Sequence, residues 1–256
     1  VNGFVSFEFD LPGALLEQLI EVLDGMSAEH LTMVTARAIP DAQGVYQLFL
    51  DGRLVYIGKT DAEAGLRKRL LRHAGKILNR PNLETHDVAF KAVQVLVFTA
   101  MDLETMLINR YKRLGQATAW NGSGFGSNDP GRERETTNRK PEGFDDQFPI
   151  SVDVEHEFLA PGSHTVATAL STLKQSLNYT LRYETEVIGR RAHPSRPHPD
   201  LLAATLLVAK PRMTMRETLT EILAVLPDGW QSTIFASHVI LYKENRPYTY
   251  GEVIRK

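Results

Sequence analysis

The chain has 256 residues, 43% of them hydrophobic, with a net charge of −2, enough for one large domain or two small ones with proper cores. It has no cysteine, which excludes disulfides, zinc fingers, iron–sulfur clusters and thiol nucleophiles and fits a reducing cytoplasm. No apolar run approaches the roughly 18–20 residues of a membrane span, residues 1–10 lack a basic n-region and a signal-peptide core, and the charge argues against a surface coated for nucleic acid.

Residues 4–9 alternate weakly, as a short strand would. Residues 11–23 place Leu15, Leu16, Leu19, Ile20 and Leu23 on one helical face behind Pro12. A connector with Pro40 and Gly44 leads to two β-rich runs, 45–50 and 54–57, around Asp51-Gly52, a hairpin signal. Residues 65–79 read as a helix striped by Leu66, Leu70, Ala74 and Ile77. Residues 88–99 read as a strand, and 101–114 as a helix striped by Leu103, Leu107, Tyr111 and Leu114. The stretch 120–149 is rich in Gly, Asn and Pro and nearly aperiodic. It is too long for an ordinary loop, which makes it functional or mobile.

Composition shifts after Pro149. Residues 164–177 and 214–226 read as helices, 179–188, 202–209, 232–243 and 248–255 as strands, and the Pro-rich 190–200 as loop. The order α-β-β occurs twice. At an offset of 49, Leu170, Leu173 and Leu177 align with Leu219, Ile222 and Leu226, a match that fits an internal duplication but is mostly helix periodicity. The expected fold is α+β, with a first domain over 1–150 and a C-terminal α/β domain over 151–256.

Charge is unevenly spread. Residues 1–40 carry one Arg and six acids, whereas 59–80 carry seven basic residues against two acids, and 107–140 seven against three. Two local basic stretches therefore sit in a near-neutral protein, either as solvated helix faces and a loop or as a groove for an anionic partner.

The middle block contains Gly44-Val45-Tyr46, then Tyr56-Ile57-Gly58 followed by Lys59. Arg69 and His73 follow in LRKRLLRH, then Glu104, then Trp120-Asn121 leading into GFGSNDPG over 124–131. This ordered set resembles the GIY-YIG nuclease superfamily, most of all its type II restriction-endonuclease branch, across roughly residues 44–150. The resemblance implies a small three-stranded antiparallel sheet flanked by helices. It also implies hydrolysis of DNA phosphodiesters in defence against foreign DNA, with Mg²⁺ or Mn²⁺ held by Glu104 alone. The implied catalytic set is Tyr46, Tyr56, Lys59, Arg69, His73, Glu104 and Asn121.

Elementary chemistry runs alongside. Tyrosine acts as a base only where cations depress its pKa, and Lys59, Arg69 and a metal would supply them. In a hairpin, facing residues have a constant index sum, and residues on one face share its parity. A regular two-residue Asp51-Gly52 turn gives 103 and puts Tyr46 and Tyr56 on opposite faces. A shared site therefore predicts an odd-length loop or a bulge. Arg69 and His73 are four apart, neighbours on one helix face at the edge of its apolar stripe. A carboxylate beside an apolar face, as at Glu104, is costly unless paired or bound to a cation, and Mg²⁺ commonly takes one or two carboxylates plus water. Asp102 is the more ordinary helix cap.

The gap of 17 from Glu104 to Asn121 is longer than the branch pattern, as an insertion near 115–118 would make it, and leaves Asn109 and Asn128 as lesser candidates. Arg72, Lys76, Arg132, Arg134 and Arg139 are candidate DNA contacts, as are Arg190 and Arg191 (with Arg196) in the Pro-rich loop. His193 and His198 lack a third ligand for a metal. The C-terminal part would serve target recognition or dimerisation on a palindrome, so double-stranded DNA and a homodimer or higher homo-oligomer are the expected partners. Alternatives are a GIY-YIG enzyme of another role (modified-DNA-dependent, homing or repair) and an inactive DNA-binding module. A modification-dependent enzyme would need an aromatic cage, which Trp230, Tyr242, Tyr248 and Tyr250 could supply, although packing in the C-terminal core is the plainer expectation for them.

Overall fold

The computed structural model describes residues 3–60, 63–78, 80–96, 102–116, 118–123, 125, 135, 141–188 and 191–255. The architecture is α+β, and the chain divides into two compact units, Val1–Leu78 with Glu84–Gly126, and Asn79–Leu83 with Ser127–Lys256. Among the described residues no helix is long and apolar enough to cross a membrane.

In the first unit, α1 (Leu11–Gly25) starts where the Asp10 carboxylate accepts the Gly13 N–H. A two-residue β1 (Glu29–His30) precedes α2 (Met33–Ala38), which Thr32 and Thr35 close with a capping box. Then come β2 (Gly44–Leu50), β3 (Arg53–Thr60), α3 (Leu66–Ile77), β4 (Val88–Gln94) and α4 (Leu103–Arg113). The expected three strands form one antiparallel sheet, and β1 adds a fourth, in the order β1-β4-β2-β3. Residues 4–9 form no strand. Phe4 and Phe7 are 80% and 82% exposed, so the alternation there has no face to bury.

One sheet face carries Val45, Leu54 and Ile57 against Leu19 and Leu23 of α1 and Leu103, Leu107 and Tyr111 of α4. The other carries Tyr46, Leu48, Tyr56 and Gly58 on the side of α3, whose Leu66, Leu70, His73 and Ile77 are buried. A bulge shifts the register of the β2–β3 hairpin between Leu48 and Phe49. Tyr46 pairs with Gly58 and Leu48 with Tyr56, but Phe49 pairs with Leu54 and Leu50 with Arg53. Val55 is the extra residue. The turn is the regular two-residue one, with Asp51 at φ 49° and Gly52 at φ 74°. The expected parity change therefore comes from the bulge, and both tyrosines share a face.

The second unit contains α5 (Phe144–Gln147), β5 (Glu155–His156), β6 (Gly162–Thr165), α6 (Val166–Ser176), β7 (Thr180–Tyr183), β8 (Thr185–Ile188) and β9 (Arg191–Pro197). It continues with α7 (Pro199–Ala203), β10 (Thr205–Val208), β11 (Met213–Thr214), α8 (Met215–Val225), β12 (Gln231–Ile234), β13 (His238–Tyr242) and β14 (Glu252–Arg255). Its main sheet runs β14-β12-β13-β7, with β7 parallel to β13, and the ladders β10-β6, β11-β5 and β8-β9 stand apart. The helices α6 and α8 fall at the 49-residue offset at both ends, each capped by a threonine, Thr165 or Thr214. The strands after them, starting at Thr180 and Gln231, do not keep that offset.

Several expectations here need correction, among them the strands at 202–209 and 248–255, which are only Thr205–Val208 and Glu252–Arg255. Residues 179–188 and 232–243 are each two strands, broken after Tyr183 and between Ile234 and His238. The Pro-rich 190–200 stretch is not all loop. Its 191–197 part pairs with β8, and both strands are edges, where proline's missing N–H is tolerated. Residues 141–150 are tied into the second unit. Arg80 donates to the Phe148 and Ala236 carbonyls and pairs with Asp145 at 3.2 Å, and Ile150 N–H donates to Ala236.

Candidate active site

The bulged hairpin brings the Tyr46 and Tyr56 rings to 6.0 Å between centroids, and α3 places His73 at 5.5 and 5.4 Å from them. Tyr46 Oη and His73 Nε2 are hydrogen-bonded at 2.8 Å, and both side chains are buried. Two glycines make room. A Cβ on Gly58 would lie 2.5 Å from the Tyr46 hydroxyl oxygen. One on Gly44 would strike the Val93 carbonyl and lie 2.9 Å from Leu66 Cδ1. Both motif glycines are thus demanded by close approach.

Burial pushes the Tyr46 hydroxyl well above its ordinary pKa, as does neighbouring Tyr56, while Arg69 and Arg72 pull more weakly downward. Tyr56 is raised by burial and by Glu104. Burial thus outweighs the two guanidinium charges, and beside them alone Tyr46 remains a phenol. His73 is held well below 6.5 by burial and then by Lys76, Arg72 and Arg69, so it is a neutral imidazole. A phenol hydrogen-bonded to a neutral imidazole can accept a proton on its oxygen only while passing its own to the ring.

Arg72 is drawn toward the site as well. Burial and then Arg69 lower its pKa, while the two tyrosines raise it. Lys76 donates to the Phe125 carbonyl and stands over the Phe125 ring. Phe125 is fully buried and stacks on His73 at 4.6 Å and 12°. Nothing in periodicity singled out Phe125, although an aromatic flanked by Gly124 and Gly126 was the available signal.

Asn121 serves the strand and not an open phosphate pocket. Its Oδ1 accepts Ile57 N–H at 2.9 Å and its Nδ2 donates to Ile57 O at 2.7 Å. Trp120 N–H donates to the carbonyl of the bulge residue Val55. Asn109 is exposed on α4.

Glu104 lies half-buried in the first turn of α4. Burial raises its pKa, with Lys59 lowering it and Asp102 raising it. Lys59 itself pairs with Asp102 at 2.8 Å. Asp102 caps α4 and is held down to about 2 by the Lys59 and Thr105 bonds. Among the described residues no group of three His, Cys, Asp or Glu gathers around a point. Glu104, whose charge is felt at Tyr56, offers a single carboxylate, which fits a hard divalent ion completing its shell with water and phosphate oxygens.

Of the other candidate contacts, Arg132, Arg134, Arg139 and Arg190, with Asn128, lie outside the described residues. Arg191 opens β9, and Arg196 pairs with Glu186 at 3.6 Å. His198 caps α7 by accepting Asp200 N–H. The four aromatics do not form a cage. Trp230 joins the main core and donates to Asp200, Tyr242 and Tyr248 pack with Phe235 and Ile240, and Tyr250 is exposed.

No protein-family model and no curated protein sequence matches the chain.

Proposed function

We propose that the chain is a GIY-YIG-type, divalent-metal-dependent DNA endonuclease, acting as a restriction enzyme against foreign DNA. The observation that carries this reading is the Tyr46–Tyr56–His73 cluster, in which a bulge puts on one face two tyrosines that the two-residue turn alone would put on opposite faces. Arg69 and Arg72 offer guanidinium charge beside it, and Glu104 would hold Mg²⁺ or Mn²⁺. Such an ion supplies charge relief at the phosphate and the leaving oxygen.

The chain's own residues account for the proton. As a water oxygen forms its bond to phosphorus, its proton passes to Tyr46 Oη while the Tyr46 proton passes to His73 Nε2. The phosphorus–oxygen bond to the leaving sugar breaks, and that oxygen is protonated from solvent. Arg69 and Arg72 face the charge that accumulates on the phosphoryl oxygens. Two copies on a palindrome would cut both strands, with the second unit contributing target recognition.

The test is cleavage of duplex plasmid with and without Mg²⁺. Glu104→Gln and Tyr46→Phe each lower the rate by about 10³-fold or more while duplex binding persists. Full cleavage by both variants refutes the assignment. Modified and unmodified phage DNA digested side by side show whether base modification is required.

A further inference from the structure

We infer that Phe125 is a positioning residue: it lies flat on the His73 imidazole and reserves that ring for the Tyr46 hydroxyl. The inference rests on Tyr46 and His73 being the proton pair of the site proposed above.

The cap is built from the edge of the sheet. Trp120 and Asn121 fasten their segment to Val55 and Ile57 of β3. The Trp120 ring, 4.9 Å from Phe125, and the Tyr56 ring, 5.3 Å away and edge-on, hold the phenyl from two sides. Lys76 holds its carbonyl. The phenyl covers one imidazole face, and the two tyrosine rings approach the imidazole as well. The side chain is sealed, with His73 at 0% exposure.

The seal has a chemical consequence. Nε2 has Tyr46, but Nδ1 has no hydrogen-bond partner among the described residues. An imidazolium needs an acceptor at each nitrogen. The groups facing this one are Tyr46 from β2, Tyr56 from β3, and Lys76, Arg72 and Arg69 from α3 itself; burial first, and then the three cations, keep the ring neutral. Capped, His73 stays an acceptor into mildly acidic solution. Uncapped, water reaches the ring, solvates the imidazolium, and the acceptor is lost as pH falls.

The experiment follows the ring itself, in protein carrying ¹³C/¹⁵N-labelled histidine, with His73→Gln identifying its resonances. In the unsubstituted protein the His73 signals stay constant over about pH 5–8. In Phe125→Ser they titrate within that window, and in Phe125→Leu, which keeps an apolar cover, they again stay constant. Phe125→Ala replaces the serine variant if that one does not fold. In parallel, Phe125→Ser loses about tenfold of its own cleavage rate between pH 8 and 5.5, as expected of an acceptor titrating near 6.5, whereas the unsubstituted enzyme does not. A ring that titrates with phenylalanine in place, a ring that stays neutral without it, or a rate lowered equally at every pH overturns the inference. If the unsubstituted protein cleaves no duplex, the nuclease reading fails, and the resonances still decide the cap.

Discussion

Replacing Gly58 with alanine probes the site through a single methyl group. The backbone φ of Gly58 is not in the left-handed region, so the substitution carries no conformational penalty of its own. The whole effect comes from contact. The methyl would sit 2.5 Å from the Tyr46 hydroxyl oxygen and 2.8 Å from Cε1, with Cζ nearer still. Non-bonded carbons rest at roughly 3.5–4.0 Å, so ring and strand must part by about 1 Å. The ring has nowhere easy to go, being 1% exposed and flanked by Tyr56 and His73. A displacement of that size breaks the 2.8 Å bond to His73. We expect overpacking to cost about 1–3 kcal/mol and the misplacement to cost about 10²-fold in cleavage. Urea midpoints and single-turnover rates measure the two effects. Adding Tyr46→Leu, which withdraws the ring, should recover most of the stability but none of the activity. The control is Gly75→Ala on α3, where nothing lies within 4 Å of the added methyl, and which should gain about 0.5–1 kcal/mol with cleavage unchanged. A Gly58→Ala protein as stable and as active as its parent would refute the packing argument.

Three other outcomes follow from named contacts. Asn121→Ala removes both bonds to the Ile57 backbone and should cost about 1–3 kcal/mol by urea unfolding. His73 is depressed in the folded state, so its stabilisation is present above the unfolded value near 6.5 and is lost as pH falls. Between pH 8 and 5.5 the parent should lose about 1.4 kcal/mol more stability than His73→Gln, read from urea midpoints at each pH. In the second unit, Arg80→Ala removes the buried pairing with Asp145 and the bonds to two carbonyls. It should destabilise by about 3–5 kcal/mol, seen as a lowered melting temperature.

Much of the first unit is legible in the sequence because its signals are periodic. The Leu66, Leu70 and Ile77 stripe is the buried face of α3, and the requirement that Tyr46 and Tyr56 share a face calls for an odd-length loop or a bulge, of which the bulge is the one formed. What periodicity does not carry is choice of partner. Lys59 turns to Asp102, and the Asn121 amide bonds the strand backbone, because charged and polar side chains are satisfied by whatever the fold brings nearby. The rise in the Tyr46 pKa was equally out of reach. It depends on how completely the phenol is desolvated, and only the packed structure gives that. In the second unit, Pro194 and Pro197 obscured β9, since proline's meaning in a strand depends on whether that strand is an edge.

The Asn121 side chain also has a bearing on solubility. β3 has β2 on one side only, so its other side would present free backbone donors and acceptors to any passing chain. The carboxamide of Asn121 answers Ile57 N–H and C=O together, as a neighbouring strand would, and Trp120 N–H takes the next carbonyl at Val55. A side chain thus terminates the sheet where the strand is most apolar. Loss of Asn121 should therefore appear as protein lost to insoluble aggregates during expression, even under conditions where the remaining soluble fraction is correctly folded.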